Sequence, residues 1–131
     1  MLIKDFAEKF ISGWLEALLK GNFKTFESLI DSSFIYHHAP GPDIVGREAY
    51  KQVLIATRKG FPDGQTDWKY LTSEGNVFAL EYKGHGRFTG EMPGLSIPHG
   101  KEVTSHYLCL FRIKNGKVVE GWANGSFIIT D

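Results

Sequence analysis

With 131 residues the chain is long enough for one hydrophobic core and too short for two, so it reads as one domain over residues 1–131. Fifteen basic and fifteen acidic side chains cancel, and no basic stripe is present, which removes the electrostatic footprint of a nucleic-acid binder. Aromatic residues make up 14% of the chain and include ten Phe, so the core is built around rings, which pack with spaces that are hard to fill and favour a cavity. The single cysteine, Cys109, excludes an internal disulfide and fits a reducing compartment. The first residues carry no leader-like apolar run, and no window reaches the length of a membrane span. The expectation is therefore a cytoplasmic protein without a membrane partner.

From Asp5 to Lys20, Phe6, Phe10, Trp14, Leu15 and Leu18 recur at helical spacing, and Lys20-Gly21 supplies a cationic last turn with a glycine stop. Asn22 caps a shorter helix with Phe23, Phe26, Leu29 and Ile30 facing inward, and Asp31-Ser32-Ser33 ends it. A short strand, Phe34 to His38, follows. It places His37 and His38 on opposite sides, with His38 expected toward solvent, and leads into a proline-bearing loop, Ala39-Pro40-Gly41-Pro42-Asp43. A third helical pattern runs from Arg47 to Lys59 and stops at Gly60-Phe61-Pro62-Asp63-Gly64.

The remainder reads as sheet. Runs from Thr66 to Ser73 and Val77 to Lys83 are joined by Glu74-Gly75-Asn76. A further run, His85 to Thr89, leads into a Gly/Pro-rich loop over residues 90–100, long enough to cover something. Val103 to Ile113 and Lys117 to about Ile129 flank Asn115-Gly116, the strongest short-range hairpin signal, since a type I′ turn needs positive φ at both central residues. Helices first and then an antiparallel meander is the pattern of an α+β domain.

Period-two geometry assigns faces to the last two strands. On the first, Val103, Ser105, Tyr107, Cys109, Phe111 and Ile113 are expected to line a hollow, and Thr104, His106, Leu108, Leu110 and Arg112 to meet a partner subunit. On the second, Val118, Glu120, Trp122, Asn124 and Ser126 share the face expected to form the pocket wall. The opposite face, Val119, Gly121, Ala123, Gly125 and Phe127, is small enough for close approach. Two alternatives stay open: an ordinary sheet face with Trp122 in the core, and a bulge at Gly125 that reverses parity beyond it.

Several stretches resemble the SnoaL-like polyketide cyclase and ester-cyclase group, within the cone-shaped fold shared by ketosteroid isomerase and nuclear transport factor 2. They are His37 after a β run, Gly46-Arg47-Glu48 opening a helix, Phe61-Pro62-Asp63, Gly90-Glu91, Gly100-Lys101, Phe111-Arg112, and Asn115 to Glu120 followed by Trp122. The resemblance implies three N-terminal helices packed on a curved antiparallel sheet, an apolar pocket and homodimers through the outer sheet face. It also implies cofactor-free proton transfer beside a carbonyl by a pocket aspartate four residues after the tryptophan. Here that position is Ser126, and Phe88 stands where the family often has histidine.

These readings set the candidates. His37 is the expected proton-transfer group, as base or acid, with Asn124, Tyr107 or Ser126 stabilising enolate oxygen. Trp14, Trp68, Tyr107, Cys109 and Trp122 are the expected contacts to a small apolar, carbonyl-containing ligand. The five histidines have no metal-ligand rhythm, and neither a phosphate loop nor a dinucleotide fingerprint is present, so no metal and no cofactor are expected. A cyclase or isomerase, or a non-catalytic binding or dimerisation module of the same fold, remain the two functional classes.

Overall fold

The computed structural model describes residues 2–38, 41–89 and 97–130. Its elements are α1 (Ile3–Lys20), α2 (Lys24–Leu29), β1 (Ile30–His37), β2 (Ile44–Val45), α3 (Arg47–Gly60), β3 (Gln65–Glu74), β4 (Val77–Arg87), β5 (Glu102–Lys114) and β6 (Lys117–Ile129). The strands form one curved sheet in the order β2-β1-β6-β5-β4-β3. All neighbours are antiparallel except β1 and β6, which run parallel. The helices and the sheet make the expected α+β architecture.

Two boundaries differ from the sequence reading, each for a physical reason. Strand β1 begins at Ile30, because Ile30 and Phe34 are both fully buried and Asp31 turns outward to accept hydrogen bonds from the Ser33 backbone and hydroxyl. Strand β4 runs unbroken through Gly84, where absence of a side chain lets the Tyr82 hydroxyl lie across the backbone; an added Cβ would meet it at 2.6 Å. Most of the Gly/Pro-rich loop, residues 90–96, lies outside the described residues.

α1 ends as its sequence dictates: Gly21 N–H donates to Ala17 O at 3.0 Å and Asn22 N–H to Glu16 O at 3.3 Å, closing the last turn over orphan carbonyls. Its apolar stripe, Phe6, Phe10 and Trp14, lies on the sheet. Phe10 packs on Phe111 at 4.7 Å between ring centroids and on Phe78 at 5.7 Å, and Phe111 also stacks on Phe78. Phe34, Phe78, Phe111 and Val118 are inaccessible to solvent, so one end of the sheet's inner face is solidly filled. Arg47 ties the start of α3 to this end by donating to Glu27 O and Ile30 O, both at 3.1 Å.

The β5–β6 hairpin turns at Asn115 and Gly116, with φ of 52° and 76°, the two positive values a type I′ turn needs. Pairing begins in tight register, Lys114 with Lys117 and Ile113 with Val118, and then slips by one: Arg112 faces Glu120, leaving Val119 as an extra residue. This bulge reverses parity along the rest of β6. Gly121, Ala123, Gly125 and Phe127 therefore lie opposite Phe111, Cys109, Tyr107 and Ser105 on the inner face, while Glu120, Trp122, Asn124 and Ser126 share the outer face with Arg112, Leu110, Leu108 and His106. The sequence reading took Gly125 as the possible bulge site, but Gly125 pairs in regular register with Tyr107.

Gly121 sits where Phe111 crosses β6: a Cβ there would stand 2.8 Å from the Phe111 ring and 3.0 Å from Tyr36. Gly121→Ala is expected to lower stability by about 1–3 kcal/mol, as overpacking of a filled core does. Urea unfolding reads this as a lower midpoint at constant m, and an unchanged midpoint would refute the close-packing account.

Candidate functional site

The inner face empties along its length because its side chains shrink. Beyond Phe111, β5 presents Cys109, Tyr107 and Ser105, and β6 presents Ala123 and Gly125. α1 continues over this region with Trp14, which leaves a cavity of about 330 Å³ between sheet, α1 and α3. One wall is an aromatic corner: Trp14 meets Trp68 edge-on at 5.0 Å and Tyr82 at 5.7 Å, and Trp68 meets Tyr82 at 4.8 Å. The indole of Trp14 is held there by donating Nε1–H to the Tyr50 hydroxyl at 2.9 Å. Tyr36 and His38, stacked at 5.9 Å and 17°, line the other side, and Ser105, Tyr107 and Phe127 reach the space from the sheet.

No carboxylate, lysine or arginine is among the described residues lining this cavity. Burial holds its other ionisable groups neutral. The Cys109 thiol is pushed up to about 12, against a weak opposing hydrogen bond from Tyr36, so it is an inert thiol at neutral pH. Burial likewise raises Tyr82 to about 12 and lifts Tyr36, Tyr50 and Tyr107 above the usual phenol value, keeping the hydroxyls as hydrogen-bond donors. His38 supplies an imidazole among the described lining residues, and neither of its ring nitrogens has a hydrogen-bond partner among the described residues.

Of the residues singled out from sequence, Trp14, Trp68, Tyr107 and Cys109 line the cavity. His37, Trp122, Asn124 and Ser126 do not, and the expectation that they turn inward together is corrected. The Val119 bulge carries Trp122, Asn124 and Ser126 to the outer face, where Asn124 and Ser126 are exposed. His37 pairs with Trp122 across β1 and β6 on that same face and stacks on it at 5.5 Å. His38 is the histidine that reaches the cavity, the reverse of the sequence assignment. A signal for it was available: buried Phe34 fixes the inner face of β1, and period two then carries Tyr36 and His38 inward.

His37 is the centre of an ionic chain. Nδ1–H donates to Asp43 at 2.9 Å, Nε2–H donates to Glu120 at 2.7 Å, and Glu120 also accepts from Arg112 at 2.9 Å. An imidazole donating from both nitrogens is an imidazolium, and the hydrogen bonds to Glu120 and then Asp43 raise its pKa above the usual 6.5. Arg112 and His37 in turn hold Glu120 below the usual carboxylate value. With both nitrogens occupied, His37 pins β1 and the following loop to β6. Two more histidine–glutamate pairs lie on exposed strand positions, His106 with Glu81 at 2.8 Å and His85 with Glu102 at 2.5 Å. No group of three or more potential metal ligands occurs among the described residues.

The family model for the SnoaL-like polyketide cyclases matches residues 9–125, nearly the whole chain. The chain belongs to this family. TsrD from Streptomyces laurentii is 20% identical and superposes with a TM-score of 0.79, over 96% of this chain and 92% of that one. IdmH, a putative polyketide cyclase from Streptomyces antibioticus, is 24% identical with a TM-score of 0.70, over 92% and 91%. A putative SnoaL-like polyketide cyclase from Jannaschia sp. CCS1 is 18% identical with a TM-score of 0.72, over 91% and 86%. At these identities the likeness carries the nuclear-transport-factor-2-like fold. No curated protein matches the sequence significantly. Among the described residues no helix is long and apolar enough to cross a membrane.

Because the folded-state pKa of His37 is raised, its stabilisation is complete below the unfolded value near 6.5 and is lost as pH climbs through the folded value. In His37→Gln the fall in stability above pH 6.5 is expected to become shallower than in wild type. Unfolding midpoints measured from pH 6 to 9 check this, and parallel profiles would contradict the imidazolium assignment.

Proposed function

We propose that this SnoaL-like chain binds a small, flat, largely apolar organic molecule bearing a carbonyl group, and that His38 exchanges a proton with the carbon beside that carbonyl. The observation carrying this reading is the aromatic-walled cavity of about 330 Å³, whose mostly apolar lining includes the imidazole of His38 and the hydroxyls of Tyr107 and Ser105. His38 takes the α-proton, and the Tyr107 hydroxyl, kept protonated by burial, donates to the enolate oxygen that forms. No cofactor enters this scheme.

That no carboxylate is among the described lining residues favours a second reading, a binding module that retains the cavity without turnover. The two separate cleanly with 2-tetralone, a flat ketone with acidic α-protons. In D₂O the wild type is expected to exchange those protons faster than buffer, and His38→Gln to slow the enzyme-dependent rate by about 100-fold or more. Binding of 2-tetralone without exchange above buffer would establish the non-catalytic module.

The outer sheet face is the proposed contact with a second copy of the chain. Leu108, Leu110 and Ile128 project from it with 56%, 46% and 60% of their surface exposed, an apolar content that association would cover. Sedimentation equilibrium is expected to give a dimer for the wild type and a monomer for Leu108→Glu/Leu110→Glu. A monomeric wild type would end this part of the proposal.

A further inference from the structure

A second, smaller cleft of about 120 Å³ adjoins the apolar cavity. Thr57, Phe61, Tyr82, Val103 and Ser105 line both, so the two spaces abut along one shared wall. Their chemistry differs. No charged residue is among the described residues lining the cavity, whereas the cleft is lined by Arg58 and by His85, which is paired with Glu102, with Gln65, Thr66 and Ser105 around them.

The polar groups here are unusually free. Thr66 Oγ1 is buried without a hydrogen-bond partner. The Tyr82 hydroxyl lies over Gly84 at the boundary of the two spaces, and burial keeps it protonated. The Arg58 guanidinium makes no hydrogen bond or ion pair with any described residue, while Arg47 is bonded to two carbonyls and Arg112 to Glu120. Arg58 is exposed, and its Nη1 lies against Gly21, at the carbonyl end of α1, which favours a cation. The acids nearest the cleft are turned elsewhere. Asp63 accepts from the Arg87 backbone at 3.1 Å, and Glu102 is paired with His85 and Arg87.

We propose that this cleft is a carboxylate subsite, in which Arg58 receives the acidic end of a ligand whose flat apolar body occupies the adjoining cavity. A planar guanidinium with donors in a fork matches a planar carboxylate. With the His85 imidazole already paired to Glu102, the Arg58 guanidinium beside hydroxyl donors suits a monoanion; a phosphate, with its larger charge, would leave charge unmatched in the cleft. The inference rests on the small-molecule reading of the cavity and narrows it to a class: flat aromatic or polycyclic monocarboxylic acids carrying a short acidic arm.

The test compares 2-naphthylacetate with its neutral near-isostere, 2-naphthylacetamide, by isothermal titration calorimetry in low-salt buffer. Wild type is expected to bind the acetate about tenfold more tightly, as a charge-assisted bond to Arg58 supplies. Arg58→Gln is expected to abolish that preference while leaving acetamide affinity within about twofold, which also reports that the cavity is intact. Arg58→Lys, which keeps the charge but not the fork, is expected to fall between. Equal affinity for the two probes in wild type, or a preference that survives in Arg58→Gln, overturns the carboxylate subsite and leaves the apolar cavity standing. Failure of both probes to bind wild type overturns the cavity reading, and the subsite with it.

Discussion

One unpaired residue in the β5–β6 ladder decides what the molecule presents to its interior. Because side chains alternate along a strand, the extra residue at Val119 exchanges the two faces of everything after it. Without it, the tight Asn115-Gly116 turn would set Trp122 opposite Cys109 and drive Glu120 toward the filled core around Phe111. A lone carboxylate there would be buried without a partner, at a cost that no local interaction on that side could offset. With it, Glu120 reaches Arg112 and His37, and glycine and alanine take the inner positions.

The hollow is a consequence of that exchange together with the order of residue sizes along the strands. Where both strands contribute bulk or bring Phe111 across Gly121, rings interlock and solvent is excluded; where they contribute Ala123, Gly125 and Ser105, space is left. The same alternation sorts the electrostatics. Charges gather on the outer face as complementary pairs, so the interior is neutral and hydrogen bonds inside it are strong. Arg58 comes in at the rim, supplied by the last turn of α3 rather than by the sheet.

Much of this was legible before the structure. The helices declared themselves by the spacing of Phe6, Phe10 and Trp14 and by Gly21, the hairpin by Asn115-Gly116, and the inner face of β5 by its alternation from Val103 to Phe111. The β6 face was not, because a bulge is a property of pairing and leaves no mark when the residues at it, Val118 and Val119, are alike. The parity of β1 was read correctly as opposing His37 and His38, but its sense depends on which residue is anchored in the core, and Phe34 supplies that anchor. Arg58 and Thr66 were silent in the sequence for another reason: their importance comes from neighbours on α1, β4 and β5 that only the tertiary arrangement brings beside them.

The three tryptophans end up in two unlike settings. Trp14 and Trp68 form the aromatic corner of the cavity, whereas Trp122 lies against a cationic imidazole on the opposite side of the sheet. Indole emission depends on polarity and is quenched by a neighbouring imidazolium, so the molecule carries two intrinsic optical reporters. One pair of chromophores faces the cavity, and the solitary one faces His37.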